Sequence, residues 1–238
     1  MVSALDDALV GRIAGNVARV RGEIAVAAQR AGRSGDDVTL VAVTKTRSLA
    51  EIRAAHRAGI THFGENRVEE AEDKLPVPGL EGVTWHMVGH LQSRKTRRAV
   101  EMFDRIDSVD SVRLAQRLDS AATDQGRVLP VLIEVNVSGE ESKYGFPLSN
   151  RAGLDAAVAE IVALSNLRVD GLMTVAFIAH DPEEVRPVFA RLRDLRDELR
   201  TRFPQTDWRH LSMGMSDDFV IGVQEGATMV RIGRALFG

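Results

Sequence analysis

The sequence predicts a single-domain (β/α)8 barrel, a TIM barrel, with one extra helix at its N-terminus. Eight short apolar segments follow one another along the chain, and each is followed by a helix or the start of one. This alternation implies parallel strands joined by right-handed crossovers. A doubly wound open sheet is the main rival, but the count of eight and the absence of a G-x-G-x-x-G motif after the first strand favour the barrel. We predict one domain over 1–238, with the helix in 1–32 and the barrel in 38–238.

The N-terminal segment has the pattern of an amphipathic helix. Its apolar residues recur at helical spacing, and Gly32 supplies a C-terminal stop. Charged residues interrupt this segment, so it does not resemble a signal peptide. The last predicted helix is cut short at Gly238, and we expect the N-terminal helix to cover the surface that this leaves exposed.

The strands and helices of the barrel follow in regular order. The predicted strands are 40–46, 60–64, 83–89, 105–109, 128–137, 167–175, 208–213 and 228–233. Ser48 and Glu51 form a capping box for the first barrel helix, and Asn66 is an acceptable N-cap for the second. Asp110 or Ser111 caps the helix after the fourth strand. The helices after the third and fifth strands are predicted over 93–103 and 151–164. Pro182 suits a first helical turn, whereas Pro187 lies too deep, so that helix starts later or kinks.

Composition excludes several classes of function. The 238 residues have 44% hydrophobic and 27% charged side chains and a net charge of −3, so neither nucleic acid nor a membrane surface is an expected partner. No apolar run approaches the roughly 18 residues that a membrane span requires. The chain contains no Cys, which excludes disulfides and Cys-ligated metals and fits a cytoplasmic location. The H-x-x-x-H of His86 and His90 lies on a strand and loop, so no metal site is expected.

The first predicted strand presents a lysine at its C-terminal end. With a period of two, Lys45 shares a face with Val41 and Val43 and continues an apolar row. The chain has 27 Arg but only four Lys, so a lysine at this position indicates chemistry that a guanidinium cannot perform, such as formation of a Schiff base. A lysine that merely extends into solvent is an equally good interpretation of the spacing alone.

The loops after the seventh and eighth strands are typical of an anion site. In a barrel these loops share one mouth with Lys45 and commonly bind phosphate. Gly214 permits close backbone approach, and Ser216 is predicted at the N-cap of the helix that runs to Gln224. Arg231 lies between apolar residues of the last strand and requires a specific acceptor. Gly233 and Arg234 then supply a backbone amide and a cation.

Together these residues suit pyridoxal 5′-phosphate (PLP). Its aldehyde requires an amine, its phosphate requires backbone amides, and its ring nitrogen requires a defined partner. An Arg at that nitrogen keeps it unprotonated and weakens the ring as an electron sink. Asp217 and Asp218 oppose this prediction, because carboxylates at a helix start would repel a phosphate unless they point outward.

The chain resembles the pyridoxal phosphate homeostasis protein family from about residue 38 to its end. The resemblance is carried in order by the segments VAVTKT, HFGENRVEE, WHMVGHLQSRK, IEVNVSGEESKYG, GLMTV, LSMGMSDDF and MVRIGRALFG. It implies an alanine-racemase-like barrel, of fold type III among PLP-binding proteins, with no firmly established reaction. By this resemblance Lys45 holds PLP as an internal aldimine and Arg231 meets the pyridine nitrogen. The phosphate is then held by Ser216, Gly233 and Arg234, with Asn66 near the ring.

This sequence departs from the family pattern at three positions. The family usually has Thr or Ser in place of Arg234, and it often has Tyr in place of Arg67 and Asn in place of Arg94. Lys143, in the loop after the fifth strand, matches a family lysine that could take the cofactor in transit, although a solvated loop lysine is the simpler interpretation.

The resulting hypothesis is a monomeric cytoplasmic protein that carries or buffers PLP and delivers it to PLP-dependent apoenzymes. The first alternative is a PLP-dependent racemase or lyase acting on a small amino acid. The second is a cofactor-free barrel in which Lys45 forms Schiff bases with sugar phosphates, as aldolases do.

Overall fold

The computed structural model describes residues 4–77 and 79–238; residues 1–3 of the predicted N-terminal segment lie outside this range. The helices in the described residues are α1 (Ala4–Arg30), α2 (Leu49–Arg57), α3 (Val68–Glu72), α4 (Thr96–Met102), α5 (Val112–Asp124), α6 (Arg151–Val162), α7 (Arg186–Arg202), α8 (Phe219–Gln224) and α9 (Arg234–Phe237). The strands are β1 (Thr39–Val43), β2 (His62–Glu65), β3 (Thr84–Met87), β4 (Arg105–Val109), β5 (Leu129–Asn136), β6 (Phe146–Pro147), β7 (Leu167–Met173), β8 (His210–Ser212) and β9 (Met229–Ile232).

Eight of these strands close into a parallel barrel, which confirms the predicted fold class. Neighbouring strands run in the order β4-β3-β2-β1-β9-β8-β7-β5, and β4 pairs with β5 to close the ring. The short strand β6 adds to the C-terminal end of β5, outside the ring. The sequence does not predict it, because two residues are too few to show a period.

Most predicted strands extend beyond the observed ones at their ends. The first predicted strand, 40–46, ends at Val43, because the chain then turns: the Arg47 N–H donates to the Thr44 carbonyl, and Thr46 within this turn adopts a left-handed φ of 60°. Ile60 is wholly buried although β2 begins only at His62. Apolar residues in the connections therefore contribute to the core between barrel and helices, and hydrophobicity alone does not mark the strand ends.

Helix starts were predicted with mixed success. Ser48 and Glu51 form the expected capping box, and Ser111 caps α5 by accepting a hydrogen bond from the Leu114 N–H. The prediction for Asn66 was wrong, because the N-cap of α3 is Arg67 and no side chain caps that helix.

The helix after β7 starts later than Pro182, as one of the two predicted options required. A 3-10 helix spans Pro182–Val185, and α7 follows from Arg186. Pro187 is then the second residue of α7, where a missing N–H removes no intrahelical hydrogen bond.

The N-terminal helix α1 packs against α2, α8 and α9, and its side chains donate hydrogen bonds to the last carbonyl groups of the chain. Arg12 Nη1 donates to the Phe237 carbonyl (2.8 Å), and Asn16 Nδ2 donates to the Leu236 carbonyl (2.9 Å). Because the last carbonyls of a helix have no partner within it, α1 serves as the C-terminal cap of α9. The expected cover over the truncated last helix is therefore present. None of the helices in the described part of the chain combines the length and apolarity needed to cross a membrane.

Charged and polar groups fill the barrel at the end opposite the mouth. His62 Nδ1 lies 2.9 Å from His86 Nε2, and His86 Nδ1 lies 2.7 Å from a carboxylate oxygen of Asp107. Arg105 donates to the other oxygen of Asp107 at 2.7 Å and pairs with Asp170 at 3.7 Å. Burial works against the charge on Asp107, but Arg105 and His86 outweigh it and hold the pKa of that carboxyl below its ordinary value. Among the residues described, no group of three potential ligands is placed to hold a metal ion.

This buried network predicts loss of stability in mild acid. Burial lowers the pKa of His62 to about 4, helped by nearby His86, and burial with Arg105 lowers the pKa of His210 to about 4. The unfolded chain, with His pKa values of about 6.5, binds more protons between pH 6.5 and 4 than the folded protein does. The free energy of unfolding, measured with urea, should therefore fall as pH is lowered through this window. In the double variant His62→Gln/His210→Gln, the free energy of unfolding should fall less steeply over the same pH range. His180→Gln, at an exposed position, serves as the control and should leave the fall unchanged.

Candidate cofactor-binding site

Lys45 lies at the mouth of the barrel, two residues beyond the end of β1. The Thr44 N–H donates to the Gly64 carbonyl at 2.9 Å, which extends the pairing with β2 by one residue. Lys45 is exposed, and its ammonium has no hydrogen-bond or ion-pair partner among the described residues. An amine without a partner at an open mouth is available to an incoming ligand.

A buried ion pair supports the turn that carries Lys45. The Thr44 hydroxyl donates to Glu65 Oε1 at 2.6 Å, and Lys74 Nζ donates both to Glu65 Oε1 (2.8 Å) and to the Thr44 carbonyl (2.7 Å). Glu65 is fully buried, and its second oxygen finds no partner among the described residues. Sequence reasoning missed this cluster. Its signal was the scarcity of lysine, since Lys74 is one of only four.

The residue after Lys45 is held in an unfavourable conformation. Thr46 has a φ of 60°, which is rare for a β-branched residue and costs about 1–2 kcal/mol. Its N–H donates to Glu70 Oε2 at 3.1 Å, and the Arg47 N–H donates back to the Thr44 carbonyl at 3.0 Å. These contacts fix the backbone on both sides of Lys45, so the base of the lysine side chain has a defined position.

Arg231 is a buried cation inside the barrel below the mouth. Only 5% of its surface is exposed, and its guanidinium donates to the Ser212 hydroxyl (2.7 Å) and to the Thr174 carbonyl (2.9 Å). Burial lowers the pKa of this group, against the opposing influence of Asp107 and Glu134. A guanidinium nevertheless stays protonated in proteins. In the β1–β9 pairing Arg231 lies opposite Val41, so it shares a side of the barrel with the strand that leads to Lys45.

The loops after β8 and β9 meet beside β1. The Ser216 hydroxyl accepts a hydrogen bond from the Ala235 N–H at 3.2 Å, which joins the two loops. A Cβ on Gly233 would lie 3.3 Å from the Val43 carbonyl oxygen, so this glycine permits close approach to the end of β1. The phosphate residues predicted from the sequence are therefore brought to the same side of the mouth as Lys45.

Two details of these loops differ from expectation. The prediction that Ser216 caps the next helix was wrong, because α8 begins at Phe219 with Asp218 at its N-cap. The expected repulsion between Asp217 and a phosphate is reduced as well, because the Asp217 carboxylate accepts a hydrogen bond from the Arg234 guanidinium. Asp218, the second carboxylate of concern, is buried and accepts a hydrogen bond from the Met215 N–H.

Gly214 is required by the loop itself. Its φ is 100°, and a Cβ there would lie 2.8 Å from the Cα of Phe219. The glycine therefore allows the turn into α8, and close approach to a ligand is not needed to explain it.

Asn66 is half-buried in the wall of a neighbouring cavity of about 660 Å³. A Cβ on Gly89 would lie 2.3 Å from the Asn66 carbonyl oxygen, so the backbone of Asn66 can take this position only because residue 89 has no side chain. Arg67 and Arg94, two positions where the chain departs from the family pattern, line the same cavity. Lys45 does not line it, so this cavity adjoins the mouth without containing the lysine.

The fifth strand supplies two polar residues with different environments. Asn136 accepts a hydrogen bond from the Gly139 N–H and donates to the Glu140 carbonyl, so it holds the loop that follows β5. Lys143, in that loop, pairs with Glu140 and donates to the Val175 carbonyl at 3.4 Å. Glu134, in contrast, is 7% exposed, and its Oε2 has no partner among the described residues.

This donor set fits PLP. An exposed amine, a buried cation for the ring nitrogen and two loops with backbone amides lie on neighbouring strands, β1, β9 and β8. The orphaned oxygen of Glu134 is a further polar atom that a ligand can satisfy, because native proteins rarely leave such atoms without a partner.

Comparison with known proteins identifies the family. Residues 16–238 match the family model for the alanine racemase N-terminal domain. The pyridoxal phosphate homeostasis protein of Escherichia coli (strain K12) is 43% identical over 231 residues, covering 95% of this chain and 96% of that protein.

Solved structures agree with this assignment. PipY of Synechococcus elongatus with PLP bound matches with a TM-score of 0.83 and 38% identity, covering 95% of this chain and all of PipY. An alanine racemase of Clostridium difficile shares the fold at a TM-score of 0.67 and 17% identity, over 85% of this chain and 51% of the racemase. On these grounds the chain belongs to the pyridoxal phosphate homeostasis protein family.

Proposed function

We propose that this protein binds PLP covalently through Lys45 and serves as a carrier or buffer of the cofactor in the cytoplasm. The observation that carries the proposal is the amine of Lys45, which has no partner in the described part of the chain and is held at an open mouth by the Thr44–Glu65–Lys74 cluster. When bound, PLP supplies an aldehyde that reacts reversibly with an amine and a ring that can withdraw electrons. The structure of PipY with PLP supports the choice of this ligand.

The other predicted residues have separate roles in this proposal. Arg231 donates to the ring nitrogen, while Ser216, Gly233 and the backbone of Arg234 hold the phosphate. Asn66 lies at the edge of the ring. Because Arg231 does not give up its proton, the ring nitrogen stays unprotonated and the ring is a weak electron sink. A ring that withdraws electrons weakly is of little use to an enzyme that breaks bonds at an amino acid. It is sufficient for a protein that only holds the cofactor.

A PLP-dependent racemase or lyase remains the alternative to be tested. Two-base racemisation requires a second proton-transfer group opposite the lysine. Tyr144, the sole tyrosine of the chain, is 55% exposed and stacks on His90 with ring centroids 3.7 Å apart. It lines the cavity of Asn66 and not a site shared with Lys45. This arrangement supports the carrier proposal.

Two assays on the loaded protein distinguish a carrier from an enzyme. In the first, the protein is incubated with small amino acids in deuterated water, with free PLP and the loaded Lys95→Ala protein as references. We expect α-deuteration no faster than with free PLP, because Tyr144 lines the cavity of Asn66 and does not share a site with Lys45. In the second, loaded protein is mixed with a PLP-dependent apoenzyme, whose activity should return as the cofactor is transferred. Deuterium incorporation at enzymatic rates would contradict the carrier proposal and favour a racemase or lyase.

We further infer that the unit is one domain over 1–238 that acts as a monomer. The contacts of α1 with α8 and α9 support the single domain, because they pack this helix against the last helices of the barrel. Light scattering coupled to gel filtration should give the mass of one chain with and without PLP. A dimer mass at micromolar concentration would contradict the inference.

A further inference from the structure

Glu134 carries a buried carboxyl oxygen for which the described part of the chain offers no hydrogen-bond partner. It lies near the C-terminal end of β5, opposite Met173 in the pairing with β7, and only 7% of its surface is exposed. Its Oε2 has no hydrogen-bond partner among the described residues. Buried carboxylates in native proteins are normally paired or hydrogen-bonded, so an orphaned oxygen beside an open mouth indicates a ligand contact.

The charges around Glu134 favour the neutral acid. Burial, together with the nearby carboxylate of Asp110, raises the pKa of Glu134 to about 7 against the attraction of Arg231. The guanidinium of Arg231 is already engaged with Ser212 and Thr174.

The remaining charged groups near β5 are committed to one another. On β4, Asp107 and Arg105 bind each other, and Arg105 also pairs with Asp170 of β7. In the loop after β5, Lys143 pairs with Glu140. A Glu134 carboxylate would therefore be charged without a close counter-ion, which disfavours ionisation.

The geometry of the cofactor directs one of its groups toward this strand. On the pyridoxal ring, the phosphate arm and the phenolic oxygen lie on opposite sides of the line from the ring nitrogen to the aldehyde carbon. In the proposed function the phosphate is held by the loops after β8 and β9. The phenolic oxygen then points toward the opposite half of the ring of strands, where β5 is three places from β9.

We propose that Glu134 contacts the cofactor as a neutral carboxylic acid that donates a hydrogen bond to its phenolate oxygen. An ionised Glu134 would repel that oxygen, so binding takes up a proton and the affinity falls as pH rises. Glu134 would then make retention of the cofactor depend on pH near neutrality. This inference rests on the proposed function and adds a residue and a pH dependence to the same site.

Calorimetry with pyridoxine 5′-phosphate tests the contact without the covalent step. This ligand has the phenolic oxygen and the phosphate but no aldehyde, so the reaction of Lys45 does not contribute. Titrations of the wild-type protein and Glu134→Gln are run in buffers of different ionisation enthalpy, which gives the number of protons taken up. At pH 7 the wild-type protein should take up about half a proton more than Glu134→Gln, given a pKa of about 7 in the free protein.

The pH dependence of affinity provides a second readout. Between pH 6.5 and 8.5 the wild-type Kd should rise roughly 20-fold more than that of Glu134→Gln, because the amide donates at every pH. The amide has nearly the same shape as the acid, and an unchanged unfolding midpoint would show that it folds normally. Glu141→Gln, which removes an exposed carboxylate from the adjoining loop and leaves the pair of Lys143 with Glu140 in place, is the matched control and should behave as the wild type does.

Each outcome is decisive. Equal proton uptake and equal pH slopes in the wild type and Glu134→Gln would overturn the contact. If Lys143 instead left Glu140 to pair with an ionised Glu134 when the ligand binds, the wild type would release protons relative to Glu134→Gln, and this result would also overturn the contact. If wild-type protein bound neither this ligand nor PLP, the proposed function would fail and the inference with it. Binding of both ligands with equal pH slopes would leave the proposed function intact and remove the inference alone.

Discussion

Lys45→Ala is expected to abolish covalent binding of PLP, so the protein purified after loading should lack the absorbance of lysine-linked cofactor. The reason is chemical, because the ammonium of Lys45 lies at the mouth and forms no hydrogen bond or ion pair with the residues that the structure describes. Lys45→Arg should lose the absorbance equally, although it keeps the positive charge, because a guanidinium does not form the bond.

Absorbance spectra of the loaded and desalted proteins measure this loss. Lys95→Ala is the matched control, since Lys95 is ion-paired with Glu69 and lines the neighbouring cavity that Lys45 does not line. It should keep the full absorbance of the wild-type protein. Undiminished absorbance in Lys45→Ala would assign the covalent link to another lysine.

Lys74→Met is expected to give the largest loss of stability. It would leave the carboxylate of Glu65, which is fully buried, with the Thr44 hydroxyl as its remaining side-chain partner. Removing one partner of a buried ion pair typically costs about 3–5 kcal/mol. Because the cluster also supports the turn of Lys45, the surviving folded protein should load PLP more slowly. Urea unfolding and loading kinetics measure the two effects.

Two further variants test whether the loss of stability comes from breaking the buried pair or from the loss of any lysine charge. The double variant Glu65→Gln/Lys74→Met removes both charges and should recover much of the stability, because no uncompensated carboxylate remains. Lys95→Met breaks the exposed pair with Glu69 and should change the free energy of unfolding by about 1 kcal/mol or less. If Lys74→Met unfolded at the wild-type urea concentration, the Glu65–Lys74 pair would not hold the turn.

The fold could be predicted because its signals are local and repeated. Eight apolar segments with helices between them admit few arrangements, and the capping box of Ser48 and Glu51 lies within four consecutive residues. Strand ends and the start of α8 were less predictable. Ser216 has the residue type of an N-cap, but its hydroxyl accepts a bond from Ala235 in a distant part of the sequence.

The candidate site was predictable where a residue contradicts its surroundings. Lys45 after an apolar strand and Arg231 within one are both unusual in sequence, and the structure puts them at the same end of neighbouring strands. The partners of these residues could not be read from sequence. The Glu65–Lys74 pair joins residues on either side of helix α3, and the Arg234–Asp217 pair joins two loops, so both depend on how the chain folds in space.

Borohydride reduction of the PLP-loaded protein, followed by peptide mapping of the labelled lysine, tests the assignment of Lys45 most directly. Reduction makes the covalent link permanent, and the four lysines of the chain fall in separate parts of the sequence. We predict that the principal label lies on Lys45, with a minor label on Lys143 if that residue takes the cofactor in transit. A principal label on Lys74, Lys95 or Lys143, or no label at all, would contradict the assignment.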